Sequence, residues 1–234
     1  DNWRVYKEST LTIDTIPIIE VAGNHDMFGV KNYNSLGNNI LDYTHSMTRN
    51  GTQTEDNFLI RSFKVGPSQT NIIALNTYQF PFPHSPLIMD MPLSSRTLDQ
   101  LETELRKSST KSVIICHYPI GSIKSKSSSS GKTLTDIVDT KETVLAFLSG
   151  HWHPKKPNPF YNGKGGGVDI VGTASFQYKK FGIVTIDNDG VAWSSIDINK
   201  PPKGVISYPI PADQVSSNSI FNDIENSAIR VVTF

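Results

Sequence analysis

Six residues carry side chains that bind divalent metals in many proteins, and they fall into three groups: Asn24, His25 and Asp26; His117; and His151 and His153. Neutral imidazole and amide oxygen are ligands for borderline metals such as zinc, manganese and iron. If His151 and His153 lie in an extended segment, both imidazoles point to the same side, so one strand end can address two adjacent ions. The three groups therefore indicate part of a two-metal site.

Each group follows an apolar run that reads as a strand. Residues 17–21 precede Asn24, the run SVIIC precedes His117, and residues 143–148 precede His151. The carboxyl ends of strands in an α/β sheet form the edge where ligands bind. We therefore expect the three groups to meet at one edge of a sheet.

The rest of the chain reads as mixed α/β, with short apolar runs between helical and turn-rich stretches and no internal repeat. Ser94 and Ser95 are candidate N-caps for a helix over 96–107, where leucines recur at helical spacing. Further strands are expected at 57–65 and 71–78, and a short helix near 134–142. A β-meander is expected over 168–173, 181–187 and 191–198.

Two features lie outside this regular pattern. The serine-rich stretch 122–132 is of low complexity, and we expect it to be mobile. Beyond Lys200 several prolines indicate a linker, after which AIRVVTF reads as a strand without an evident partner. We therefore divide the chain into a first domain over 1–199 and a linker with the start of a second, β-sandwich domain over 200–234.

Charge and composition exclude several classes of protein. Lys+Arg and Asp+Glu each number 22, so no overall positive field favours nucleic acid. Cys116 is the only cysteine, which excludes an intramolecular disulfide framework. The sequence shows neither a signal peptide nor an apolar run of membrane-spanning length. We expect a folded domain without a membrane segment, and the compartment stays open.

The order Gly23-Asn24-His25-Asp26, then His117, then Gly150-His151-Trp152-His153 resembles the later motifs of the calcineurin-like metallophosphoesterase superfamily. The stretch TLDQLETEL, ahead of the His117 strand, also resembles its usual counterpart there. The resemblance covers roughly residues 15 to 198. It implies a two-sheet β-sandwich flanked by helices in a four-layer α/β (α+β) architecture. The implied function is phosphoester hydrolysis with two divalent metal ions.

The resemblance also implies a role for each residue. Asn24, His117 and His151 would hold one metal ion, and His153 would hold the other. His25 would contact the substrate phosphoryl group and act as general acid toward the leaving oxygen, and Asp26 would orient His25. The substrate is a phosphoester whose identity stays open.

The sequence departs from the family pattern at its beginning. The family opens with Asp-x-His and Gly-Asp-x-x-Asp motifs, which supply the remaining ligands, and neither precedes GNHD here. We therefore expect a fragment, N-terminally incomplete and inactive by itself. The stretches HDMFGVKNY and ISYPIP, with the serine-rich loop, resemble the branch called transmembrane protein sixty-two, which implies a membrane-anchored parent protein.

Other interpretations remain open at this point. The chain could be a catalytically silent ectodomain that keeps the fold in order to bind or sense a partner, because a fold does not guarantee activity. His117 could be a core histidine, and Trp152 is more typical of a pocket wall than of chemistry. Asn50 begins a glycosylation sequon, which matters only in a secretory lumen.

Overall fold

The computed structural model describes residues 2–13, 16–34, 59–66, 69–77, 93–139, 143–153, 158–161, 168–172, 175–187, 190–208, 211 and 229–233. Asn50 lies outside these residues. The helices are α1 (Asn2–Thr10), α2 (Asn24–Met27), α3 (Ser95–Lys107), α4 (Leu134–Asp139) and α5 (Ser175–Tyr178), with a 3-10 helix at Ile120–Ser122. The strands are β1 (Ile60–Val65), β2 (Thr70–Leu75), β3 (Ser112–Cys116), β4 (Val144–Ser149), β5 (Asn158–Tyr161), β6 (Val168–Val171), β7 (Lys180–Asp187), β8 (Gly190–Asp197), β9 (Gly204–Tyr208) and β10 (Arg230–Thr233).

A six-stranded sheet with the order β1-β2-β3-β4-β6-β5 forms the centre of the fold. Strands β2, β3, β4 and β6 run parallel, whereas β1 and β5 pair antiparallel at the two edges. In the parallel register Leu75 lies opposite Cys116. The residues that follow β2, β3 and β4 therefore leave the sheet at the same edge.

Helix α3 forms where its leucine spacing predicts it. The Ser94 side chain accepts a hydrogen bond from the Thr97 backbone N–H at 3.0 Å, which caps the first turn. Leu98, Leu101 and Leu105 lie on one face and are buried. The predicted cap and helix are confirmed.

The two faces of the sheet bury different partners because successive strand residues point to opposite sides. On β3, Ile114 and Cys116 join a core with the helices, whereas Val113 joins a second core with Trp193 of β8. The β7–β8 hairpin is thus a second sheet that packs on the face opposite the helices. The prediction of a mixed α/β fold with two facing sheets and flanking helices is confirmed.

One predicted strand and one predicted pairing are wrong. Residues 17–21 form no strand; Pro17 lacks a backbone N–H, and the Ala22 N–H donates to the Asn76 side chain instead of to a neighbouring strand. The three strands predicted for the meander form, and β7 pairs with β8 as expected, but β6 pairs with β4 and β5 in the large sheet instead of with β7. Pairing depends on contacts between distant residues, which local patterns do not encode.

Strand β10 has a partner that the sequence did not reveal. It pairs antiparallel with β9, and Gly204 lies so close that an added Cβ would be 2.7 Å from the Val232 carbonyl oxygen. A glycine is therefore required where these two strands meet. The division of the chain at residue 199 stays a prediction.

The prediction that residues 122–132 are mobile is wrong for the described chain. Three serines of this stretch donate hydrogen bonds to Asp99 of α3, and Lys132 lies 3.6 Å from Glu102. Low complexity predicts mobility only when the side chains find no acceptor. Among the helices that the structure describes, none has the length and apolar character that crossing a bilayer requires.

Candidate metal centre

The loops that follow β3 and β4 are joined at the carboxyl edge of the sheet. The Gly150 backbone N–H donates to the His117 carbonyl oxygen at 2.9 Å. This bond brings the start of the His151 segment beside His117. The parallel register of β3 and β4 therefore continues for one contact beyond the strands themselves.

The short helix α2 brings Asn24 to the same place. The Gly23 backbone N–H donates to Asp26 Oδ2 at 2.7 Å, and the Asp26 N–H donates to the Gly23 carbonyl oxygen at 3.1 Å. A Cβ at Gly23 would lie 3.0 Å from His117 Cε1, so a larger residue at this position would push the imidazole away by a few tenths of an ångström. Asn24 is buried at the start of the helix.

Three side-chain atoms converge on the edge of the sheet. His117 Nε2 lies 2.8 Å from Asn24 Oδ1 and 3.2 Å from His151 Nδ1. A ring nitrogen either donates one proton or accepts one, so His117 Nε2 can satisfy only one of these two contacts as a hydrogen bond. A cation would be attracted to all three atoms. Their separations are similar to those between ligands that each lie about 2 Å from one zinc ion.

His117 is held in its neutral form. Burial, followed by the positive charges of His151, His153 and His25, lowers its pKa to about 4. A neutral imidazole offers a nitrogen lone pair, which a protonated one does not. His117 can therefore bind a metal ion at neutral pH.

Tyr118 packs against both imidazoles. Its ring centroid lies 4.4 Å from that of His151 and 5.1 Å from that of His117. Burial raises the pKa of Tyr118 to about 12, so its hydroxyl is neutral at physiological pH. The aromatic contacts restrict the orientation of the two histidine rings.

His151 and His153 are not in an extended segment, which corrects the sequence interpretation. Their φ angles are +67° and +46°, in the left-handed region, and both residues lie beyond the end of β4 at Ser149. Histidine adopts this conformation more readily than most residues do, at a modest cost in free energy. The two rings are therefore positioned by the geometry of a turn. The alternation of side chains along a strand does not decide which way they point. His153 is exposed.

The structure places His25 and Asp26 beside the cluster in different ways. His25 is exposed, and its positive charge acts on both Asp26 and His117. Burial raises the pKa of Asp26, while the Gly23 N–H and the charge of His25 lower it. Within the described residues, no hydrogen bond joins the His25 ring to Asp26. The carboxylate contacts the Gly23 backbone, so its role as orienter stays a prediction.

Asn76 is a site-positioning residue that the sequence analysis missed. It directly follows β2, is buried, and accepts the Ala22 N–H at 2.8 Å through Oδ1, which holds the segment before Asn24 against the sheet. The sequence did contain an indication of this role, because Asn76 follows an apolar run just as His117 does. The prediction of a strand over 71–78 placed it inside that strand.

Three buried hydroxyl groups at this edge have no hydrogen-bond partner among the described residues: Thr77, Tyr118 and Ser149. Buried polar groups are nearly always paired in proteins, so this edge is suited to polar ligands. Within the same residues, no group of three or more His, Cys, Asp or Glu side chains could hold a metal ion. The cluster contains two imidazoles, and the Asn24 amide oxygen is its third donor. This donor set fits one divalent ion.

The sequence matches no family model, and a search of curated proteins finds no similar sequence. Among solved structures, the chain is similar to the crystal structure of a dimetal phosphatase from Danio rerio. The TM-score is 0.57 at 14% sequence identity, and the match covers 80% of this chain and 72% of the phosphatase chain. The chain therefore has a fold similar to that of a dimetal phosphatase.

Proposed function

We propose that this chain belongs to a metal-dependent phosphoester hydrolase that uses two divalent ions of zinc, manganese or iron. The observation that carries the proposal is the convergence of Asn24 Oδ1, His117 Nε2 and His151 Nδ1 at the carboxyl edge of the sheet. The neutral state of His117 and the similar fold of a dimetal phosphatase support it.

The residues divide into two ligand groups in this proposal. Asn24, His117 and His151 hold one ion, and His153 contributes to the second. When bound, the two ions supply positive charge for the phosphoryl oxygens and a water molecule of lowered pKa. Tyr118 and the Gly150–His117 backbone bond keep the imidazoles in place.

His25 is the proposed general acid. It is exposed beside the cluster, so it can reach a substrate and donate a proton to the leaving oxygen. The Asp26 carboxylate, which accepts a hydrogen bond from the Gly23 N–H, is the residue proposed to orient His25. Such proton transfer contributes about a hundred- to ten-thousand-fold to the rate.

A second candidate function is a catalytically silent module that binds or senses a ligand. It is favoured by one observation, that the described residues contain no cluster of three or more His, Cys, Asp or Glu side chains suited to a metal. In that case the fold persists while the carboxylate ligands of a two-metal enzyme are missing.

We also propose that the parent protein belongs to the branch called transmembrane protein sixty-two and is membrane-anchored. The support is the resemblance of HDMFGVKNY, the serine-rich loop and ISYPIP. Residues 1–199 are then the phosphoesterase-like domain, and residues from 200 onward lead into a β-sandwich.

Turnover by the full-length protein separates the two functions. Protein loaded with zinc, manganese or iron is assayed against aryl phosphomonoesters and phosphodiesters, before and after chelation. We expect hydrolysis that chelation abolishes and added metal restores. Metal binding without any turnover supports the silent module, and turnover that survives complete metal removal contradicts the proposal.

A further inference from the structure

The loop over residues 124–132, here called the serine loop, is attached to helix α3 mainly through the carboxylate of Asp99. Ser127 Oγ donates to Asp99 Oδ1 at 2.5 Å, and Ser128 Oγ donates to Asp99 Oδ2. Ser129 donates to Asp99 Oδ1 twice, from Oγ at 2.7 Å and from its backbone N–H at 3.1 Å. These hydrogen bonds lower the pKa of Asp99 well below its ordinary value, so the carboxylate is ionised.

Weaker contacts hold the two ends of the loop. The Leu93 N–H donates to Ser125 Oγ at 2.8 Å, and Lys132 lies 3.6 Å from Glu102 of α3. The loop leaves the sheet shortly after His117, through the 3-10 helix Ile120–Ser122. The attachment to Asp99 therefore fixes a segment that begins at the candidate metal centre.

We propose that Ser128 and Ser129 are phosphorylation sites that release the serine loop from helix α3. Both residues are exposed, whereas Ser127 is buried, and lysines flank the stretch on both sides. A kinase would transfer the γ-phosphoryl group of a nucleoside triphosphate to the serine Oγ. The new P–O bond replaces the bond to the β-phosphate, the hydroxyl proton passes to a base of the kinase, and the nucleoside diphosphate leaves.

Phosphorylation replaces the attraction between each serine and Asp99 with repulsion. The serine hydroxyl donates a proton to the carboxylate, but a phosphoserine oxygen has no proton to donate and carries about −1.5 to −2 charges at pH 7. Like charges then face each other at hydrogen-bond distance. The loop relieves this repulsion by leaving the helix.

Nearby lysines already face other carboxylates. Lys132 lies close to Glu102, and Lys126 and Lys132 both lower the pKa of Asp136, after the hydrogen bonds of Thr133. A phosphate that recruits either lysine takes it from these carboxylates. Lys124 is exposed and is the cation that could instead hold the phosphate in place.

The test is amide hydrogen exchange of the full-length protein with phosphoserine incorporated at position 128 or 129. Exchange rates for peptides of the serine loop are compared with those of the same peptides unfolded, which corrects for the intrinsic effect of phosphate. We expect protection of the loop to fall at least about tenfold, because exchange follows local opening. Phosphoserine at Ser109 is the matched control, since this exposed serine lies between Lys107 and Lys111, beyond the end of α3.

Two further measurements make the proposal falsifiable. In an Asp99→Asn background the loop already has lower protection, and added phosphoserine should have a smaller effect than in the wild type. A serine kinase that prefers basic flanking residues, supplied with magnesium and ATP, should label position 128 or 129. Unchanged or increased protection, an undiminished effect in Asp99→Asn, or no label at either serine would overturn the proposal.

Discussion

At the scale of single residues, His117 is central because its Nε2 atom contacts both Asn24 and His151. A buried imidazole normally finds one donor or acceptor for each nitrogen, and here one nitrogen faces two side chains. His25 differs from it in being exposed and outside these contacts. The two histidines should therefore fail in different ways when they are replaced.

We expect His117→Ala in the full-length protein to lower metal content and turnover together, by about tenfold or more. His25→Ala should leave metal content nearly unchanged. It should slow esters with poor, alkoxide-like leaving groups far more than esters with good, phenolate-like ones, because only the former need the proton. Elemental analysis beside kcat/KM for a leaving-group series measures both effects.

The same two variants can also contradict the assignment of His25 as general acid. If His25→Ala loses metal as fully as His117→Ala, or slows all leaving groups equally, His25 is not the general acid. Asp26→Asn should resemble a mild form of His25→Ala, since it removes a charge beside the acid while the acid itself remains.

The lowered pKa of His117 predicts how stability depends on pH in the metal-free protein. Its pKa is about 4 in the folded state and about 6.5 when unfolded, so the unfolded state binds more protons between these values. The contribution of neutral His117 is fully present above pH 6.5. It is lost as the pH falls toward 4, by up to about 3 kcal/mol.

Urea unfolding at a series of pH values measures this dependence, with His117→Gln as the control that removes the titrating group. The free energy of unfolding of the wild type should fall below pH 6.5, and that of His117→Gln should fall less. Parallel curves for the two proteins would show that His117 does not titrate as inferred.

At the scale of elements, Asn76 joins strand β2 to the segment that carries Asn24. Asn76→Ala should lower the free energy of unfolding by about 1–3 kcal/mol, because the buried Ala22 N–H loses its acceptor. It should also weaken metal binding, since Asn24 is no longer held beside His117. Asn71→Ala is the matched control, because Asn71 is buried at the other end of the same strand.

Denaturant unfolding and a metal titration of both variants separate the role of Asn76 in positioning the metal ligands from its role in stability. We expect both variants to lose stability and only Asn76→Ala to lose metal affinity. Equal metal affinity in the two would mean that Asn76 has a structural role alone.

Local sequence patterns correctly predicted the helices and strands that depend only on residues within the element itself. The leucine spacing and the Ser94 cap define α3, and the apolar run SVIIC defines β3. Residues 17–21 were misread because an apolar run does not say whether a partner strand lies beside it. The serine loop was misread because its attachment depends on Asp99, about 30 residues earlier in the chain.

At the scale of the whole molecule, the fold class follows from the alternation of apolar runs and helices, but the pairing of strands does not. The convergence of His117 and His151 was expected, because the parallel strands β3 and β4 deliver their carboxyl ends to one edge. Asn24 joins them as expected, although no strand precedes it. The left-handed backbone at His151 and His153 was not expected, because β4 ends at Ser149 and both histidines lie beyond it. The positioning contact of Asn76 was missed because it joins residues that are 54 positions apart in the chain.

The central claim is that Asn24, His117 and His151 bind one divalent metal ion. The most direct test is an anomalous difference map from crystals soaked in millimolar zinc or manganese, with data collected at the absorption edge of the metal and His117→Ala crystals as the control. We expect a peak about 2 Å from Asn24 Oδ1, His117 Nε2 and His151 Nδ1 that is lost in the variant. A map with no peak at these three atoms, or with a peak that persists unchanged in His117→Ala, would contradict the claim.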